Sequence, residues 1–370
     1  MAETDKDRFT STKGAGPGRW AFKSFVRANA VPVMFLALCG LGILGSGKPP
    51  LFLLQEAVVR VARNSFTVLS LVIPVVAGLG LNFAIVLGAM AGQAGLIAVT
   101  AMGTSGIGGL IAAVAIALPL ALMLGWMAGS IMNRAKGREM ITGMILGFFM
   151  NGVYQLVFLF GIGTVIRLKN AALVLPQGVG LRNTVDLVTV KYALDNLLSL
   201  YAGFGYVPLA TFAVVALLAW GVISLFKTKL GQDMRAVGQD MRVSEAAGIN
   251  VDRTRNLAVV TSTVLAAIGQ IIFLQNIGTL NTYDSHGQIG TFAIAALLVG
   301  GATISKATVG QALLGTFLFH LLFIVSPYAG QNLLGSAQIG EYFRVFVAYA
   351  IIAVSLALHS LQRARMAVRR

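Results

Sequence analysis

The sequence predicts an all-α polytopic membrane protein with about ten transmembrane helices, in two pseudo-symmetric halves with broken helices. Three observations carry that expectation. Of the 370 residues 57% are hydrophobic and only 11% charged, with a mean hydropathy of +0.82, whereas soluble domains carry about 25% charged residues. The uncharged stretches are long: 64–133 contains no Asp, Glu, Lys or Arg. The apolar runs are also continuous, not alternating in segments of about ten residues as in a transmembrane barrel.

A helix needs about 20 apolar residues to cross about 30 Å of hydrocarbon. By that measure the crossings fall at 28–47, 65–82, 84–103, 108–131, 140–162, 206–226, 256–276, 287–304, 307–326 and 343–361. The membrane domain is therefore expected over 28–361. Ahead of it lies 1–27, basic, polar and expected to be disordered in the cytoplasm. The first crossing is expected to be a retained anchor, because no small-residue cleavage pattern precedes Lys48. An outer loop spans 163–205, an inner loop 226–256, and a basic cytoplasmic tail 362–370. With ten crossings and the N-terminus inside, 20 of the 28 Lys and Arg residues fall on the inner side, as the positive-inside rule requires. The net charge of +15 thus orients the chain, and no nucleic acid is needed to explain it.

Other chemistries are thinly supplied. Cys39 is the only cysteine, so no disulfide forms within the chain. Three scattered histidines (His286, His320, His359) and one cysteine have no metal-ligand spacing. The first crossing carries a formal GxGxxG at Gly40, Gly42 and Gly45. The same crossing comes close to a phosphate-binding loop at Gly42, Gly47 and Lys48, but Pro49 stands where Ser or Thr is needed and no strand precedes. Small residues packing a membrane helix explain both.

The glycines carry more information. Gly88 and Gly92, Gly125 and Gly129, and Gly143 and Gly147 each put small residues on one helix face, where backbones can approach. Breaks at 78–82 and 287–290, each followed by Phe-Ala-Ile (83–85 and 292–294), predict interrupted helices in corresponding halves. Polar residues within the apolar runs are mostly amides: Asn82, Gln93, Asn151, Gln155, Gln270, Gln275 and Gln311. Each fits interhelical hydrogen bonding or a pathway for an uncharged or zwitterionic solute; Asn82, Gln93, Asn151 and Gln270 are the candidates for the pathway. The crossings contain no Asp, Glu or Lys, and one Arg, Arg344, at an end. Proton-driven machines usually hold an ionisable group inside the membrane, so energy for transport is expected from outside the bilayer.

The inner loop is the most specific segment. Between Lys227 and Arg255 it predicts two short helices, the first capped by Asp233 and ending before Gly238. The second, from Met241 to Ala247, is capped by Asp240 and stopped by Gly248. Exposed Ser244, Ala246 and Ala247 would form a docking knob. Here Arg235-Ala-Val-Gly238-Gln-Asp240, followed by Glu245-Ala-Ala-Gly248-Ile249, resembles the coupling loop of ATP-binding-cassette (ABC) importer permeases. The resemblance is narrower to the ribose, branched-chain amino acid and nucleoside permeases, and 80–88 resembles that family's early broken span. Val243 and Ser244 depart from the small alanines common there.

The resemblance implies a non-enzymatic subunit in the bacterial inner membrane, with both termini cytoplasmic. It implies that Gly238, Asp240, Ser244, Glu245, Ala246, Ala247 and Gly248 meet cytoplasmic ABC ATPase subunits, which bind the ATP-Mg; this chain is expected to bind no cofactor or metal. It further implies a second permease, identical or homologous, and a periplasmic or lipid-anchored solute-binding protein. The leading expectation is import of a sugar, nucleoside or amino acid. The alternative is a stand-alone carrier or channel, and an integral membrane enzyme is a third class, for which no acid–base cluster is visible near the membrane surface.

Overall fold

A computed structural model of the chain describes residues 29–166, 170, 173–203 and 205–368. The expected disorder of 1–27 lies outside the described residues.

The helices follow the apolar runs. They are α1 (Ala30–Ser46), α2 (Pro50–Ser70), α3 (Val72–Val76), α4 (Ile85–Met102), α5 (Gly106–Arg134), α6 (Glu139–Leu156), α7 (Leu209–Leu225), α8 (Lys229–Gln239), α9 (Met241–Ala246), α10 (Val251–Ile277), α11 (Gly287–Val299), α12 (Val309–Leu334) and α13 (Ala337–Val368). Among the described residues seven helical segments are long and apolar enough to cross a membrane, and an eighth arises if α7 and α8 count as one bent span. Two shorter apolar helices, α1 and α11, stand where the remaining crossings were expected. Each of the ten expected crossings therefore meets an apolar helix, although three of those helices are shorter than a full span.

Limits shift where local chemistry overrides apolarity. The second helix starts at Pro50, well before 65, because proline suits a first helical turn. It breaks at Leu71, where Pro74 supplies no N–H for the Ser70 carbonyl. The basic segment from 362 continues the helix of α13 to Val368. The break expected at 78–82 is present between α3 and α4. The one expected at 287–290 is displaced: Gly287 opens α11, and the interruption lies in 278–286. Gly278, with φ +79°, ends α10 in the left-handed conformation, and a hydrogen-bonded turn links Gly287 N to the Asp284 carbonyl.

Packing repeats between the halves. The central helices are α2 and α10, which pack on each other; α4 and α5 lean on α10, while α11 and α12 lean on α2. Glycines set the spacing on α10. Any side chain on Gly88 or Gly92 of α4 would strike the Thr263 or Ala267 carbonyl, and Gly125 of α5 lies against Val260. Because the α3–α4 gap lies toward the inner loop and the α10–α11 gap toward the outer loop, the halves are inverted relative to each other. Apolar side chains such as Phe148, Phe149 and Trp220 stay exposed on the outer helices, as lipid contact requires.

The outer loop has structure that strands of three and four residues kept hidden. Its strand β1 (Thr184–Asp186) pairs antiparallel with β4 (Thr279–Asn281) of the α10–α11 gap, and β2 (Ser199–Ala202) forms a hairpin with β3 (Gly205–Pro208). Main-chain bonds from Leu187 N to Gly278 O (3.0 Å), Thr282 N to Asn183 O (2.8 Å) and Tyr192 N to Gln275 O (2.9 Å) fasten the loop over that gap.

Candidate functional site

Two regions gather the polar chemistry, one at each gap. Toward the outer side, Gln93 of α4 is fully buried, and its amide N–H group donates to the carbonyls of Asn281 (2.8 Å) and Thr282 (3.0 Å). That fixes the amide's orientation, so its oxygen faces His286 Nδ1 at 3.0 Å and accepts a hydrogen bond from its N–H. In the neutral ring Nε2 is then an acceptor. It lies 2.8 Å from Asn151 Oδ1, so with the ring in this form the Asn151 amide must turn over to present its NH2 group. The Tyr154 ring packs on His286 with centroids 4.7 Å apart. Gln270 of α10 reaches toward the Ser285 carbonyl at 3.4 Å, and its Cβ lies beside Gly92, next to Gln93. Three of the four expected pathway amides are thus brought together around a histidine.

Asn82 is set apart. It lies fully buried at the inner gap, 3.4 Å from Ser262, eight residues or about 12 Å along α10 from Gln270. No Asp, Glu, Lys or Arg contributes a side chain to either group of contacts. Several buried polar atoms there have no partner among the described residues: Asn82 Oδ1, Gln270 Oε1, Tyr154 Oη and both amide atoms of Gln275. An unmet buried polar group costs about 1–3 kcal/mol, so each of these is a point where an entering polar molecule would gain a bond.

The inner loop forms the second region. The 72° bend from α7 to α8 turns the chain out of the bundle. Thr228, not Asp233, caps α8, its hydroxyl accepting from Gly231 N at 3.3 Å. Gly238 lies inside α8 instead of beyond its end, because the helix runs to Gln239. Asp240 caps α9 as expected, its carboxylate accepting from Arg242 N (2.8 Å) and Val243 N (3.1 Å). Gly248 takes φ +82° just past the end, where a side chain would be strained. Glu245, Ala246, Ala247 and Val243 are exposed. Ser244 is not: it is 3% exposed, its hydroxyl donating to the Asp240 carbonyl at 2.8 Å. The exposed knob therefore consists of Val243, Glu245, Ala246 and Ala247, with Ser244 holding it from behind.

The loop is seated on the membrane domain by contacts that the sequence did not reveal. Gly238 lies against the inner gap, where any side chain on it would strike the Val76 carbonyl. Arg255, fully buried, pairs with Glu139 at the start of α6, and its second nitrogen lies 3.3 Å from Met241 Sδ. Lys136 pairs with Asp252 at 2.6 Å, and Asn133 donates to the Asp252 carbonyl at 2.8 Å. The available signal for the buried pair was Glu139, an acid set at the edge of a long apolar run, where it needs a nearby cation.

Comparison with known proteins adds the relationship. A family model described as "Branched-chain amino acid transport system / permease component" matches residues 54–356. A nucleoside ABC transporter permease protein of Lactococcus lactis subsp. cremoris is 34% identical over 146 residues, 39% of this chain and 43% of that one. An autoinducer 2 import system permease protein of Klebsiella pneumoniae is 36% identical over 126 residues, 34% of this chain and 36% of that one. A fructose import permease protein of Bifidobacterium longum is 25% identical over 194 residues, 51% of each chain. The aligned part thus spans less than half of the first two relatives and about half of the third. No solved structure matches the chain.

Proposed function

Since its match to the family model runs over 54–356, this chain belongs to the branched-chain amino acid transport system permease family, and from that premise we propose that it is the membrane subunit of an ABC importer. Its solute is small, neutral and rich in hydroxyl groups, as sugars and nucleosides are. The observation that carries the solute class is the set of buried, uncharged polar groups at the two gaps, Asn82 at one and Gln93, Gln270 and His286 at the other, with acceptors at Asn82 Oδ1 and Gln270 Oε1 lacking donors. Hydroxyl groups supply such donors. An amino acid zwitterion would need a pair of opposite charges to replace its water, and the acids nearest this route are Asp284, exposed beside His286, and Asp195, already held by Thr211 and Asn276.

In this reading the chain does no covalent chemistry and binds no nucleotide; ATP and magnesium belong to cytoplasmic ATPase subunits. These grip the knob of Val243, Glu245, Ala246 and Ala247 and move α8 against the inner gap. An external binding protein delivers the solute to the other face, and a second permease completes the pathway. The protein is placed in the bacterial inner membrane with both termini inside, following its positive charge.

The test is uptake by cells with and without this chain, using labelled sugars, nucleosides and amino acids. The reading expects loss of a neutral solute only, and dependence on ATP even after the proton gradient is collapsed. Uptake that follows the gradient and survives ATP depletion makes the protein a secondary carrier instead. Loss of amino acid uptake alone refutes the solute class.

A further inference from the structure

Between α5 and α10, at the ends that meet the inner loop, runs an open groove of about 550 Å³. Its upper wall is apolar, formed by Trp126, Leu257 and Val260, and its foot carries Ser130, the amides Asn133 and Asn256, the cations Arg134 and Arg253 and one acid, Asp252. Trp126 is 64% exposed. Both arginines are exposed, neither has a carboxylate within ion-pairing distance among the described residues, and the charge of Asp252 in the foot is met by Lys136 at 2.6 Å, which leaves the two guanidinium groups in excess. Trp126 precedes Arg134 by eight residues, about 12 Å along one helix. The groove thus offers an apolar wall with two free guanidinium groups at one end.

We infer that this groove is a binding site for an anionic phospholipid, its phosphate held by Arg134 and Arg253 and its acyl chain laid along Trp126, Leu257 and Val260. Charge complementarity selects the occupant. An apolar wall on the outside of a membrane domain meets acyl chains, and guanidinium groups match phosphate oxygens in two-pronged geometry. Basic pockets between helices on the cytoplasmic side attract anionic headgroups for the same reason. A zwitterionic lipid offers the same phosphate with a cation attached, which the two arginines repel. The site is separate from the amide-lined route and from the knob, so the inference stands whether or not the proposed solute is right.

Tryptophan quenching reads it directly. The chain has three tryptophans, Trp20, Trp126 and Trp220, so Trp20→Phe with Trp220→Phe leaves Trp126 as the reporter. The full chain is reconstituted with phosphatidylglycerol or phosphatidylcholine brominated on the acyl chains. Brominated phosphatidylglycerol should quench at a lower mole fraction than the phosphatidylcholine. Arg134→Gln and Arg253→Gln should each cut that preference about fivefold, the factor expected for one basic residue at the surface. Raising the salt concentration around the unsubstituted protein should narrow it too, which keeps the test valid if the double variant folds poorly. Equal quenching by the two lipids overturns the inference. So does a preference that survives both substitutions, or a Trp126 that neither lipid quenches because a second protein covers the groove.

Discussion

Gly238 of the cytoplasmic helix α8 touches Gly78 of the inner gap: a methyl group on Gly78 would lie 2.8 Å from the Gly238 Cα. Two residues 160 positions apart are both glycine where the chains meet. The helix that leaves the bundle is thereby in backbone contact with the interruption of α3 and α4. A rigid push on α8 reaches the gap with no flexible side chain in between, and α8 also packs on α10.

Gly238→Val should therefore separate movement of the loop from movement of the gap. Uptake should fall at least tenfold, while insertion and co-purification with an ATPase persist. Gly221→Ala, in α7 with open space around it, is the control for a harmless methyl. Equal uptake by the two variants would mean that the contact transmits nothing.

Arg255→Ala should destabilise the protein by about 3–5 kcal/mol, because it leaves Glu139 buried without its partner. Removing both charges, Arg255→Met with Glu139→Leu, should restore most of the loss. Apparent melting temperatures in detergent decide between this and a merely local role. A double variant as unstable as the single one would show that packing, not charge, is at stake.

At the outer gap, His286→Leu and Gln93→Leu should each impair uptake, and together they should cost little more than one alone. The reason is that Gln93 Oε1 and His286 Nδ1 are each other's partners at 3.0 Å, so removing either breaks the same bond. Measured transport rates forming a double-mutant cycle test it. Fully multiplicative losses would mean that the two side chains act separately.

On the knob, Ala247→Arg should abolish ATPase co-purification and uptake together, through bulk and charge on an exposed surface. Ser244→Ala should leave co-purification near the unsubstituted level, since that hydroxyl faces inward to the Asp240 carbonyl. If Ser244→Ala proves the more damaging of the two, the exposed face of α9 is not the docking surface.

How far the sequence could be read depended on the range of the interactions. The crossings were legible because apolar runs are local and long, and the cap at Asp240 because its hydrogen bonds reach only two and three residues onward. Where proline or a tight connection decided a limit, as at Pro50 and at 278–286, apolarity misplaced it. The amides were legible as residue types, but their meeting point was not. His286 brings together Gln93 and Asn151 from 193 and 135 positions away, and a lone histidine beside a glycine gives no hint of that. Likewise Arg255 read as one more inner positive charge, because its partner Glu139 lies 116 positions upstream.

The fastening of the outer loop has its own corollary. Three of the bonds that hold it over the outer gap run between main-chain groups, from the N–H groups of Leu187, Tyr192 and Thr282 to carbonyls opposite, and two more come from the hydroxyls of Thr282 and Tyr283, which donate to the Arg182 and Leu181 carbonyls at 2.7 Å. Almost any amino acid can donate or accept there, proline excepted as a donor. For the main-chain bonds the identities of Leu187 and Tyr192 matter little, while the number of residues between them does. Adding or deleting one residue within β1 would shift every later partner by one place and turn its side chains to the opposite face. The cover over the outer gap is thus written largely in the spacing of the chain, with the hydroxyls of Thr282 and Tyr283 as its side-chain part, which is why it bears so little motif.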